Sequence, residues 1–496
     1  MSDPFPESRF ADVNSAPIRE IGDYVLYWMI ANRRTRWNFS FQRAAKWAEK
    51  LGKPLVVFEA LRVDYPWASD RLHTFVIQGM RDNACDLADS PVLYYPHIEP
   101  EAGAARGLLK SLSQRACVVV TDDFPCFFLP RMVELTGKRL DVRLEKVDSN
   151  GLLPMRAADK TFTTAYSSRR FLQKNLSPHL ERLPELNPLT GRAFPAAEND
   201  LIQAIQKKWP PATQESLNDP AAYAARLPID HDVPPVLDCP GGAVAAEKTL
   251  GRFLQHRLDR YADHRNEVEQ EVVSGISPYL HFGHLSAHQV FQEVAELESW
   301  DPSQLSTDSK GSRTGWWNMS PNAESFLDEL ITWRELGFNM CHREKNFDQF
   351  ESLPDWALKT LAEHREDQRT HVYSLEEFEQ ARTHDEIWNA AQRQLISEGR
   401  IHNYLRMLWG KKVLHWSASP QEASRILIEL NNKYALDGRN PNSYSGIFWC
   451  FGRYDRAWGP EREIFGKIRY MSSQSARRKL SLKGYLSRYG ENRLFT

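Results

Sequence analysis

The sequence predicts two structural classes in one chain: an α/β domain on a doubly wound parallel sheet, then an all-α domain. Three observations carry this. Short apolar runs alternate with helical periodicity over residues 22–150, a Pro- and Ala-rich stretch follows over 151–243, and from Val244 the periodicity is helical almost to the end. In order, Tyr24–Ile30 is an apolar run of strand length, Trp37–Leu51 is helical and stops at Gly52, and Pro54–Phe58 is a second strand. Ser69 caps a helix reaching about Ala88; Val92–Tyr95 is a third strand, Glu101–Leu112 a helix, and Cys117–Val120 a fourth strand. A helix from about Leu129 and a fifth strand, Asp141–Leu144, complete the domain, and strand–helix alternation at this spacing means parallel βαβ units. No Gly-x-Gly-x-x-Gly follows the first strand, so a dinucleotide site of that type is not supported. Pro184, Pro188, Pro195, Pro210, Pro211, Pro220, Pro228, Pro234, Pro235 and Pro240 mark 151–243 as a partly helical interdomain connection, leaving 244–484 as the helical domain.

Composition excludes several classes. With 496 residues, 63 Lys and Arg against 65 Asp and Glu give a net charge of −2, which is neither a polycation nor an acidic tail. A neutral sum can still hide a basic groove: Glu461–Thr496 holds nine Lys/Arg against three Glu, densest at Arg477-Arg478-Lys479, a solvated face or one wall of a phosphate-binding face. No apolar run approaches the roughly 20 residues of a membrane helix. Met1-Ser2-Asp3-Pro4 lacks the basic and apolar regions of a secretory signal. Six dispersed cysteines without a Cys-x-x-Cys predict neither a disulfide framework nor a zinc module, and a cytoplasmic setting. No metal is expected.

Fifteen tryptophans are unusual, because a buried indole N–H needs a partner. Trp409 and Trp416 are seven apart, hence on one helix face about 10.5 Å apart along the axis. Trp388 sits in another helical segment. Such a stripe is ordinarily core; its sharper reading is an electron relay to a buried redox cofactor. Asn403 and Met407 are i,i+4 with Arg406 beside them, and Glu329 and Trp333 repeat that spacing, an acid and an indole able to hold a flat polar ligand. Tyr434–Tyr444 contains Asp437-Gly438-Arg439-Asn440-Pro441, a tight loop between helices. Ser274-Gly275-Ile276-Ser277 precedes a helix, with Tyr261 and Arg265 upstream, an arrangement suited to a phosphate or to a plain helix cap at Ser277.

Ser277-Pro278-Tyr279-Leu280-His281-Phe282-Gly283 after Tyr261 and Arg265 resembles the flavin-binding signature of the photolyase/cryptochrome family. Trp388–Gln392, Leu405-Arg406-Met407 with Trp409, Leu436–Arg439 and Phe465–Met471 resemble the class II cyclobutane pyrimidine dimer photolyases. The resemblance is dense over Tyr261–Met471 and compatible over residues 22–150. It implies an N-terminal antenna domain, an FAD-binding helical domain, and repair of pyrimidine dimers in UV-damaged DNA by an electron from photoexcited, anionic reduced FAD. By motif position, Tyr261, Ser274, Gly275, Ile276 and Ser277 would cradle the pyrophosphate. Arg334, Asn403, Arg406, Asp437, Gly438 and Arg439 would line the rest of the flavin, and Asn431 matches the asparagine near flavin N5. Glu329, Trp333, Met407 and Trp449 match the dimer pocket, Trp388, Trp409 and Trp416 the tryptophan relay, and Arg265, Asp455, Arg456 and Trp458 positions near the extruded lesion and the DNA. Glu329 and Asn431 are the catalytic candidates beside that relay. An antenna chromophore, a deazaflavin or a folate, is implied as a second cofactor. The expected state is a monomer at the nucleoid or in the nucleus.

Two departures stand out. Asn440 replaces the usual Asp, and Trp449–Asp455 is one residue shorter than the usual loop. Three alternatives remain: a cryptochrome-like photoreceptor, a light-inactive DNA-binding flavoprotein, and a lyase for the (6-4) photoproduct, for which His402 lies near the pocket. The lesion-pocket residues and the end of the chain about 25 residues after Met471 argue against the photoreceptor.

Overall fold

The computed structural model describes residues 5–308 and 310–491, so the first four residues and the last five of the basic segment lie outside the described residues. It divides into two compact units. One comprises Met1–Asp159, Asn175–Gly251 and Gly275–Pro302, the other Lys160–Lys174, Arg252–Ser274 and Ser303–Thr496.

The first unit holds a six-stranded sheet: β1 (Phe10–Asp12), β2 (Tyr24–Met29), β3 (Leu55–Leu61), β4 (Val92–Ile98), β5 (Ala116–Asp122) and β6 (Leu144–Val147). The order is β1-β6-β5-β2-β3-β4, parallel except for the antiparallel β1–β6 edge pair. β2 and β5 are buried at every residue, as expected of strands covered on both faces. Helices α1 (Phe39–Leu51), α2 (Asp70–Leu87), α3 (Leu108–Arg115) and α4 (Leu129–Gly137) alternate with the strands. Asn38 starts α1 by accepting from the Ser40 and Phe41 amides at 2.9 and 3.2 Å, and left-handed Gly52 ends it.

Three local expectations shift, each for a visible reason, and one strand is new. Ser69 stands at the cap of α2 without capping it; the Asp70 and Arg71 amides instead donate to the Asp230 and Val233 carbonyls. The helix expected from Glu101 begins at Leu108, because the Glu99 carboxylate takes the Gly103 and Ala105 amides at 3.0 and 3.1 Å and holds the intervening residues in turns. The strand expected from Asp141 begins at Leu144, because the Asn14 amide group bonds the Gly137, Leu140 and Val142 carbonyls and accepts from the Leu144 amide. β1 was unforeseen: three residues with one exposed are too short to show a period.

Doubling back at β2 creates a switch point beside β5, where ligands of such folds commonly sit. Here Asp122, at the end of β5, fills that point. Its Oδ2 accepts from the amides of Ile30, Ala31 and Asn32 at 2.8–3.0 Å, and Oδ1 accepts from the Tyr27 hydroxyl and the Asn32 side chain. The Pro-rich stretch packs on the same unit: the Ala212 amide donates to the Pro96 carbonyl, His97 meets the Pro210 carbonyl, and Ala197 donates to Pro91. Edge strand β4 is thereby covered, which blocks pairing with another chain.

The second unit is helical among its described residues, with an isolated bridge at Arg462–Gly466. Helices Arg334–Arg343 and Pro441–Trp449 approach closely at Gly337, where a Cβ would come within 2.7 Å of Asn442 Oδ1 and 2.9 Å of Ser445 Oγ. Among the described residues no helix is long and apolar enough to cross a membrane, and no group of three or more His, Cys, Asp or Glu could hold a metal ion.

Candidate active site

Helix Asn403–Trp416 organises the second unit, carrying Asn403, Arg406, Met407, Trp409 and Trp416. Its final two indoles meet Trp388, which lies on helix Glu386–Glu398. Trp388 is the hub. Its ring is parallel to Trp409 within 7° at 6.4 Å, and edge-on to Trp416 at the same distance. All three are buried: Trp388 at 0%, Trp416 at 2% and Trp409 at 3% exposure. Both partners thus lie within ring-packing range of Trp388 in a dry medium. The indole N–H groups are satisfied, that of Trp388 by the Trp409 carbonyl at 3.0 Å and that of Trp409 by Gln392 Oε1 at 2.9 Å. Gln392 is a supporting residue to which the sequence reading gave no role. Its spacing, four after Trp388 on one helix face, is the signal that could have found it.

The acid–indole pair sits in unexpected local geometry. Asp328–Trp333 is one turn of π-helix, a bulge inside the continuous run Pro321–Arg343. The Glu329–Trp333 spacing was read as α-helical, and a π turn changes how the two side chains diverge. Glu329 accepts a hydrogen bond from the Arg265 guanidinium in a tight ion pair. Trp333 lies against Trp449 at 5.4 Å with a 32° tilt, giving an aromatic wall next to the turn that bears the acid. Burial raises the Glu329 carboxyl above its usual range, although the Arg265 cation pulls the other way. Burial likewise raises the Tyr261 phenol to about 12, and Tyr261 packs edge-on to Phe253 and Phe326.

At the positions expected to line a flavin, Arg406 Nη1 faces Asp437 Oδ2 at 3.8 Å, a loose pair with the arginine one-third exposed. Arg334 is buried with its guanidinium 4.4 Å from the Phe338 ring. Asn431, also buried, donates to Asn432 Oδ1 at 3.3 Å. Asn403 opens its helix and is exposed. Arg439 is committed to the fold, its guanidinium donating to the Asn432, Ala435 and Leu436 carbonyls at the end of helix Pro420–Tyr434. Gly438 is required there, since a Cβ would sit 2.7 Å from the Asn431 carbonyl oxygen. Asn440 caps helix Pro441–Trp449 by accepting from the Asn442 amide at 2.9 Å, and Asn and Asp cap equally well. Of the expected pyrophosphate cradle, Tyr261 and Ser274 lie in the second unit, and Gly275, Ile276 and Ser277 in the first. Ser277 is the first residue of its helix, and Ile276 holds the cap position without a side-chain bond.

The loop from Trp449 to Trp458 is well tied. The shortened stretch is anchored by buried Arg453, which donates to the Phe347 carbonyl and stacks 4.2 Å from Phe448. Trp458 donates to Asp455 Oδ1 at 3.0 Å, and the Arg456 and Arg469 guanidinium carbons lie 4.8 and 5.1 Å from its ring. An indole flanked by two cations is chemistry suited to stacking on bases and holding phosphates. On the basic C-terminal segment, Arg477 and Arg488 are paired with Glu386 and Glu398, which lowers the free charge of that face.

A parallel sheet covered by helices is thus joined in one chain to a helical unit in which three buried indoles pack together. No family model matches the chain. It is 35% identical to a deoxyribodipyrimidine photo-lyase of Methanothermobacter thermautotrophicus over 94% of each chain. It is 32% identical to one of Arabidopsis thaliana, covering 95% of this chain and 90% of that one, and 32% identical to one of Potorous tridactylus, covering 92% and 79%. The crystal structure of a bacterial class III photolyase from Agrobacterium tumefaciens shares the fold, with a TM-score of 0.68 at 15% identity, covering 94% of this chain and 86% of that one. The chain belongs to the deoxyribodipyrimidine photo-lyase family, enzymes of DNA photorepair.

Proposed function

We propose that this enzyme is a class II photolyase acting on cyclobutane pyrimidine dimers in UV-damaged DNA. The observation that supports this most is the convergence on one helix, Asn403–Trp416, of flavin-side residues, a lesion-side residue and two relay indoles. The donor set suits a flavin. Arg334 and Arg406 supply cations, Asn403 and Asn431 amides, and Asp437 a carboxylate. A cation beside the ring system favours an anionic reduced form. Reduced FAD held there supplies one light-driven electron. The protein's part is positioning. Trp333 and Trp449 stack on the flipped-out lesion, whose damaged pairing makes it cheaper to extrude than a normal base. Met407 closes the pocket, while Arg265, Arg456 and Trp458 hold the DNA around it.

Arg265 keeps Glu329 paired in the free protein. Lesion phosphates compete for that guanidinium, and the released carboxyl, already raised by burial, takes a proton. Protonated Glu329 then donates to a pyrimidine carbonyl, placing a donor where negative charge develops. Asn431 offers its amide to the flavin. Trp409, Trp388 and Trp416 carry electrons to the flavin when it needs re-reduction. An antenna chromophore, deazaflavin or folate, belongs to the same proposal, as do a monomeric state and a DNA-containing compartment.

The test is lesion selectivity. Pre-reduced protein is illuminated with oligonucleotides carrying either a cyclobutane dimer or a (6-4) photoproduct, and the products are separated. Restoration of the cyclobutane substrate alone is expected. Restoration of the (6-4) substrate alone would overturn the dimer assignment, and restoration of neither would favour a photoreceptor.

A further inference from the structure

The relay as read from sequence stops at Trp416, yet Trp416 is 2% exposed, so a hole arriving there has no direct meeting with an external reductant. What lies beyond it is specific. Tyr373 packs edge-on to Trp416 at 6.0 Å, and its backbone amide donates to the Trp416 carbonyl at 2.9 Å. The Tyr373 oxygen lies 2.7 Å from His384 Nδ1 and accepts from the His384 backbone amide at 3.1 Å. In the tautomer with the ring proton on Nε2, Nδ1 accepts from the phenolic O–H while the same oxygen accepts from the backbone amide. Tyr373 is half-buried and His384 exposed. Directly after Tyr373, Ser374 opens helix Leu375–Glu379 with a full capping box, which fixes the segment.

Resting on the relay reading above, we propose that Tyr373 is the terminal electron donor of the relay and His384 its proton acceptor. The step balances. With a flavin bound, its photoreduction would draw one electron through Trp409 and Trp388 and would leave Trp416 as a radical cation. Tyr373 gives one electron to Trp416, restoring the indole, and its O–H bond breaks with the proton passing to Nδ1 of neutral His384. The products are a neutral tyrosyl radical and an imidazolium, and an external thiol then reduces the radical at the surface. Electrostatics favour the transfer: the Lys412 ammonium lies 4.9 Å from the Trp416 ring and disfavours positive charge there, whereas the tyrosyl radical is neutral.

The groups facing His384 are His371, stacked on it at 3.9 Å, Trp416 at 4.7 Å, Asp385, Lys412 and, electrostatically, His415. Burial, with His371 and Lys412, lowers the His384 titration, and Asp385 opposes this, a balance that favours the neutral ring as proton acceptor.

The test is time-resolved absorption and spin resonance of the flavin-loaded protein after a flash. Wild type is expected to end in a long-lived tyrosyl signature. Tyr373→Phe should end in a tryptophan signature that decays several-fold faster, and His384→Ala should slow tyrosyl formation and remove its solvent isotope effect. In wild type the tyrosyl yield should fall as pH drops below the ordinary imidazole range. If Trp388→Phe blocks radical formation while Tyr373→Phe leaves spectrum and lifetime unchanged, the inference is overturned and the relay stands. If Trp388→Phe changes nothing, relay and inference fall together. Circular dichroism of both variants separates these outcomes from misfolding.

Discussion

Replacing Glu329 by Ala removes the acid that Arg265 holds on the π turn that also bears Trp333. A hydrogen bond to a charged group is worth about 1.5–3 kcal/mol. The Glu329 side chain is 35% exposed before DNA binds, so solvent screening places it at the low end, about 1.5 kcal/mol. That corresponds to a roughly tenfold slower splitting step. DNA affinity should hold or rise slightly, because Arg265 loses its carboxylate partner and is free for phosphate. Glu329→Gln keeps an N–H donor and should recover most of the rate. The wild-type rate should carry a pH dependence that Gln lacks. Because burial raises the carboxyl, the donating form is present below that elevated pKa and lost as pH rises through it. Single-turnover splitting by pre-reduced protein, set against dimer-DNA binding, reads both quantities. Unchanged splitting in the Ala variant, or splitting and affinity falling in equal proportion, would refute the role given to Glu329.

Trp388→Phe replaces two 6.4 Å steps with one gap of about 10.5 Å along the helix from Trp409 to Trp416, so flavin photoreduction should slow sharply; splitting by chemically pre-reduced protein, measured alongside, should fall far less. Gly337→Ala pushes a methyl into Asn442 and Ser445 and should cost about 1–3 kcal/mol, read as a lower Tm. Arg456→Ala should weaken binding of damaged and undamaged DNA alike and reduce the salt slope of binding by about one. Asn38→Ala removes the α1 cap and should cost about 1 kcal/mol in denaturant unfolding.

Much of this was legible because strong local chemistry wrote it. The apolar runs Tyr24–Met29 of β2 and Cys117–Val120 of β5 and the Gly52 end of α1 appear as the pattern indicates, whereas α1 begins two residues after the expected Trp37 because Asn38 caps it. The three indoles stood out by spacing and motif, but the place of Trp388 between the other two did not, since it depends on how two helices pack. The late start of α3 turned on one carboxylate, Glu99, and that of β6 on one amide, Asn14, side chains whose reach is invisible in a window of neighbours. The π turn at Asp328–Trp333 is a backbone choice that the residue pattern Glu-x-x-x-Trp does not encode. Tyr373 and His384 are eleven residues apart in a polar stretch, and only the fold brings hydroxyl and imidazole to 2.7 Å.

The most direct test of the central claim is an absorption spectrum of the purified protein, before and after blue light with a thiol, then under light with dimer-containing DNA. The account predicts flavin bands that bleach on illumination and, with DNA, recovery of the ultraviolet absorbance of intact thymine that is absent in the dark. Flavin photoreduction without thymine recovery, or no flavin in any preparation, would contradict it.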